Sequence, residues 1–187
     1  MNNMSDTEKK TDLKENFEEA KSSVTKLWGS VTNETHSAFE KVADKTGKWF
    51  EEKKNTVTKE DVEKVVDKAE SGIQKLLNSG KEYVVKLGKQ ASLLWEMLRA
   101  SVKKEFDMPW ATVASITATL LYLISPIDVV PDFIPALGFA DDALVIALCI
   151  SLIRIDLKRY AAHRNLNLAD YGLSSEGKPL DEDKPSA

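Results

Sequence analysis

The chain has 187 residues, 30% of them charged, a formal net charge of −4 and eight glycines, which suits one helical domain, or a smaller one with a long extension, better than a sheet protein. Residues 1–105 carry 20 Lys/Arg against 19 Asp/Glu and residues 106–187 carry 6 against 11, so no segment offers the basic field that nonspecific nucleic-acid binding needs. Cys149 is the single cysteine; an intrachain disulfide is excluded, and its apolar neighbours mark it as a small buried hydrophobe.

The pattern divides the chain into four parts. These are a disordered N-terminus over 1–14, an amphipathic charged helical region over 15–105, an apolar helical hairpin over 106–160 and a polar, disordered tail over 161–187. The first part has no apolar core of signal-peptide type, and a cytoplasmic N-terminus is expected. From Phe17 an eleven-residue repeat follows. Phe17, Trp28, Phe39 and Phe50 share one register, Ala20, Val31 and Val42 a second, and Val24, Thr35, Thr46 and Val57 a third. Eleven residues make three turns at about 3.67 residues per turn, so these positions form a nearly straight apolar stripe on a helix. Such a stripe can lie in a membrane interface or on a partner, or it can pack on the rest of the protein. Gly29 and Gly47 weaken a continuous rod, each by about 1 kcal/mol relative to alanine.

Thr58-Lys59-Glu60-Asp61 has the form of an N-cap with acids in the first turn. Val62, Val65, Val66, Ala69, Ile73, Leu76, Leu77, Val84, Leu87, Ala91, Leu94, Trp95, Leu98 and Val102 then step by threes and fours. They predict a long core-facing helix bent near Ser79-Gly80. Antiparallel pairing of residues 15–53 with 60–104 would bury both stripes as a long helical hairpin.

Met108 to Ile127 is free of charge and would measure about 30 Å as helix, close to a bilayer's hydrocarbon thickness. Ala143 to Ile153 is shorter, about 16 Å. Ala111, Ser115 and Thr119 recur at four-residue steps on the first, and Ala143, Ala147 and Ser151 on the second, a spacing that lets helices approach closely in lipid. Arg99, Lys103 and Lys104 precede the pair, and Arg154, Lys158, Arg159 and Arg164 follow it, while the connection carries only aspartates. The positive-inside rule then expects a membrane-inserted or multi-pass hairpin with both termini cytoplasmic. A soluble protein with the hairpin as its core is the alternative.

The connection holds Ser125, Pro126, Ile127, Asp128, Pro131, Asp132, Phe133, Ile134 and Pro135, then Gly138, Asp141 and Asp142. Ser125 and Pro126 have the form of a helix start, and Pro131 and Pro135 redirect the chain. Asp141 or Asp142 can cap the second helix. Alternatively, Asp128, Asp132, Asp141 and Asp142 converge on a hard divalent cation, which an all-oxygen site would suit. The only histidines, His36 and His163, lie far from this stretch in sequence, and no catalytic constellation or organic cofactor motif is present.

The run from Tyr122 through Ser125-Pro126-Ile127-Asp128 and Pro131-Asp132-Phe133-Ile134-Pro135 to Gly138 and Asp141-Asp142 resembles the signature of the YkvA-type family, domain of unknown function 1232, over about residues 108–155. The resemblance implies membrane association and brings no reaction with it. The expectation is an all-α, non-enzymatic, membrane-associated protein. Its hairpin would anchor it, its amphipathic helices would form a binding platform, and its partners would be membrane lipid, helices of another protein or a second copy of itself. A carboxylate ion site and a soluble helical adaptor are the alternatives.

Overall fold

The computed structural model describes residues 6–27, 33–124 and 140–178. Every regular element among them is helical: α1 (Asp6–Leu27), α2 (Asn33–Thr56), α3 (Lys59–Leu77), α4 (Glu82–Val102), α5 (Trp110–Ile124) and α6 (Ala140–Arg164), followed by a short 3₁₀ turn at Leu168–Tyr171. The all-α expectation holds. The helix α1 begins at Asp6, inside the stretch expected to be unstructured.

The N-cap read at Thr58 is a full capping box. The Asp61 amide donates to Thr58 Oγ1 at 3.2 Å, and the Thr58 amide donates to Asp61 Oδ2 at 3.1 Å, satisfying two amides that the first helical turn leaves without partners. Lys53 Nζ also reaches Asp61 at 3.2 Å, tying the end of α2 to the start of α3. Beyond the cap, Val62, Val65, Ala69, Ile73 and Leu76 form the buried face of α3.

The long second helix is two helices. Residues 78–81 interrupt it where a bend at Ser79-Gly80 was expected, and α4 folds back on α3. The two backbones meet at Gly88, where an added Cβ would lie 2.9 Å from the Leu77 amide nitrogen. The expected pairing of 15–53 with 60–104 is therefore corrected. With α3 and α4 packed together, the eleven-residue stripe is left to cover the apolar hairpin: α1 lies on α6, and α2 lies across α5 and α6. Ala20, Val24, Thr46, Phe50 and Val57 are buried, and Phe17 and Val42 pack against the same core. The stripe faces protein. Trp28 and Val31, and the side chains of Thr35, His36 and Phe39, lie outside the described residues.

The chain after α6 is also structured, contrary to the expected tail. Asn167 Oδ1 accepts from the Ala169 amide at 3.1 Å to open the 3₁₀ turn, and Gly172 closes it in the left-handed region at φ 70°. Leu168 and Leu173 are buried, and Gln90 Nε2 donates to the Tyr171 carbonyl at 3.2 Å. The description ends at residue 178.

Candidate functional site: the enclosed hairpin

The sequence argument converges on the two apolar helices and their connection. In α5 every residue from Thr112 to Tyr122 is buried, and in α6 every residue from Ala143 to Ile150 is. The neighbours that bury them are the other helices. α5 touches α2, α3, α4 and α6, and α6 touches α1, α2, α4 and α5. A helix apolar all round needs such a complete jacket when no lipid supplies it.

The polar interruptions of α5 are met within the protein. Ser115, Thr117 and Thr119 donate to the carbonyls four residues back, at 2.8, 2.8 and 3.0 Å, so their hydroxyls are satisfied without an outside partner. Thr119 also shares a side-chain hydrogen bond with Cys149 of α6. Cys149 lies on the side of α6 opposite Ala143, Ala147 and Ser151, so the expected meeting of the two small-residue faces is not what joins α5 to α6 here. Burial pushes the Cys149 thiol up to about 12, against the opposing pull of Thr119 and Lys54. A thiol in that state is a packing group rather than a nucleophile.

At the open end of the hairpin, the Thr112 hydroxyl donates to Asp156 Oδ2 at 2.5 Å, and Arg159 Nη1 donates to Asp156 Oδ1 at 2.7 Å. This buried carboxylate pins the start of α5 to the middle of α6. Phe106 stacks edge-on to Tyr160 with centroids 5.2 Å apart. On the α2 side, Trp49 meets Tyr122 edge-on at 4.9 Å. On the α1 side, Arg154 Nη2 donates to Glu19 at 2.9 Å. Sequence reading missed the Thr112–Asp156 link, although a lone aspartate flanked by Ile155 and Leu157 was its visible sign.

The ion-site expectation receives little from this geometry. Asp128 and Asp132, with Ser125, Pro126, Ile127, Pro131, Phe133, Ile134, Pro135 and Gly138, lie outside the described residues, as does the side chain of Asp141. Asp142 borders a large cleft whose other charged residues are Lys53, Lys64, Lys68 and Lys75 with Asp61, Asp67 and Glu70, so both signs of charge line it. Among the described residues no group of three His, Cys, Asp or Glu side chains could hold a metal ion.

Of the run Met108 to Ile127 expected to span a membrane, residues 125–127 lie outside the described residues. Among the described residues no helix is long and apolar enough to cross a membrane. The 15 described residues of α5 rise about 22 Å. The uncharged run counted from Met108 includes Met108 and Pro109, which precede the helix.

The family-model match falls on this same hairpin. Residues 112–148 match the model of a family described as a protein of unknown function (DUF1232). Over 53 residues the chain is 43% identical to a Bacillus subtilis (strain 168) protein described as the uncharacterized membrane protein YkvA, a match covering 28% of this chain and 50% of that relative. The chain thus spans about half the length of the curated relative it matches. No solved structure matches it. The family model places a DUF1232 segment on the enclosed hairpin, and the partial match to YkvA is consistent with that segment.

Proposed function

We propose that the protein is a non-enzymatic, membrane-associated helical bundle that binds at the membrane surface and keeps its hairpin as a packed core. The observation that supports this reading is the coincidence of two facts. The chain shares 53 residues with a relative described as a membrane protein, and the hairpin that carries the family match is enclosed by α1–α4. Surface association satisfies both, because it needs no helix to leave its protein neighbours. Insertion would exchange the hydrogen-bonded, close-packed surroundings of Thr112, Asp156 and Thr119 for lipid. An aspartate in mid-membrane costs about 2.5–3.5 kcal/mol on insertion scales.

Fractionation of cells expressing the full chain tests this. The protein should sediment with membranes and be released by high salt or alkaline carbonate without detergent. Recovery wholly in the soluble fraction at low salt would leave the adaptor reading in its place. Resistance to both salt and carbonate would favour a lipid-inserted hairpin.

A further inference from the structure

Large apolar side chains left exposed by the bundle are few, and they sit together. Among the described residues they are Val102 at 48%, Trp110 at 52% and Ile155 at 78%. Val102 ends α4 and Trp110 begins α5, so both lie at the open end of the hairpin. On α6, Leu152, Ile155 and Arg159 follow one another at helical spacing on one side. Trp110 and Leu152 line the same shallow groove. The Arg159 guanidinium stands over the Phe106 ring at 5.5 Å, which brings this side of α6 against the α4–α5 junction.

The charge here is opposite to that of the whole chain. Residues 99–107 and 154–164 contain seven Lys/Arg and three Asp/Glu, in a protein of net charge −4. Four of the seven cations are paired, Arg159 with Asp156, Arg164 with Glu105, Arg154 with Glu19 and Lys158 with Glu176, which leaves Arg99, Lys103 and Lys104 to set the local sign. Lys103 and Lys104 are exposed and join no ion pair among the described residues. A half-exposed tryptophan at the start of α5 and an exposed isoleucine one turn beyond Leu152 on α6, with lysine and arginine at the same end, have the chemistry of a membrane-interface anchor. The indole and the aliphatic group enter the headgroup boundary while the cations meet lipid phosphates.

We propose that this end of the bundle, with Trp110 and Ile155 ringed by Lys103, Lys104 and Arg159, is the face that docks on an anionic phospholipid surface. The inference rests on the membrane reading above and names the face and the lipid chemistry that serve it. Docking here leaves the helix jacket closed, since none of these groups covers α5.

The test is flotation of the purified full chain with phosphatidylglycerol/phosphatidylcholine vesicles and with pure phosphatidylcholine vesicles. Anionic vesicles should bind it far better, and added salt should weaken that binding through screening. Ile155→Ser combined with Trp110→Ser should lower affinity by about tenfold or more, from the apolar surface no longer buried. Lys103→Gln combined with Lys104→Gln should lower it by about fivefold for each charge removed. All four side chains are exposed, so thermal melting should match the parent, and the lysine pair provides a second route if the apolar pair unfolds. Normal binding by both double variants would overturn the assignment of this face and leave the membrane reading standing. Equal binding to both vesicle types would overturn the anionic chemistry. Absence of binding to any vesicle, together with a wholly soluble native protein, would remove the membrane reading itself.

Discussion

The Thr112–Asp156 link offers the sharpest quantitative test of the hairpin's packing. Asp156 is buried to 9% exposure and Thr112 to 6%, so neither group can recover a full water shell if the other is removed. A hydrogen bond to a charged group is worth about 1.5–3 kcal/mol net. The second arm of the carboxylate goes to Arg159, whose side chain is 53% exposed; screening limits that pair to about 0.2–1 kcal/mol. Thr112→Val, which removes the hydroxyl and keeps the shape, should therefore destabilise by about 1.5–3 kcal/mol. Asp156→Ala should cost somewhat more, because the Arg159 contact and some packing go too. The double variant should cost clearly less than the sum, with a coupling energy of about 1.5 kcal/mol or more. Urea unfolding followed by circular dichroism in detergent-free buffer measures all three. A coupling energy under about 0.5 kcal/mol, the usual error of additivity, would refute a buried bond closing the open end of the hairpin.

Other consequences follow from single contacts. Gly88→Ala should be destabilising by about 1–3 kcal/mol through overpacking at the α3–α4 crossing, although helix preference alone would stabilise it by about 1 kcal/mol; the sign of the change in urea midpoint decides. Thr46→Val should stabilise by about 1 kcal/mol, because the Thr46 hydroxyl is buried with no hydrogen-bond partner among the described residues; a loss in melting temperature would show that the hydroxyl is satisfied. Burial raises the Asp61 pKa, but the Thr58 amide and Lys53 outweigh it and hold the carboxyl below its ordinary value of 3.8. The stability it adds is present above that value and lost as pH falls through the lowered folded value. Asp61→Asn should accordingly cost about 1 kcal/mol at neutral pH, with the deficit shrinking in urea titrations below the ordinary value, and a pH-independent deficit would contradict this. Cys149, fully buried with its thiol pushed up to about 12, should resist alkylation at pH 8 until denaturant is added, as mass spectrometry would show.

How much of this was legible in the sequence depends on whether the deciding interaction is local. The Thr58–Asp61 cap is written within four residues, and the break near Ser79-Gly80 follows from turn-forming residues in a helical pattern. The α5–α6 contact at Thr119 and Cys149 was not anticipated, because Cys149 lies across α6 from the small residues Ala143, Ala147 and Ser151. Nor could the partner of the eleven-residue stripe be anticipated. Phe50 and Val24 look the same in sequence whether they face lipid, α3 or α6, and only the closing of α3 on α4 leaves the hairpin as their partner. The same ambiguity governs α5, because a core helix jacketed by four neighbours and a membrane helix are both apolar all round. Residues 165–178 were misread as tail because Leu166, Leu168 and Leu173 are thinly spread among polar residues, and a single 3₁₀ turn has no periodicity to detect. In the connection between α5 and α6, the positions of Asp128 and Asp132 lie outside the described residues. The ion-site reading therefore turns on titration: calorimetric heat from Mg²⁺ or Ca²⁺ that Asp142→Asn reduces would support it.

Enclosure of the hairpin is the claim on which the rest depends, and amide hydrogen exchange on the full chain, free and vesicle-bound, tests it most directly. Enclosure predicts that residues 112–122 are among the slowest to exchange without detergent or lipid. It also predicts that α1 and α2 keep their protection when anionic vesicles are added. Rapid exchange of 112–122 in the lipid-free protein, or loss of protection in α1 and α2 on vesicle binding, would show that lipid rather than protein surrounds the hairpin.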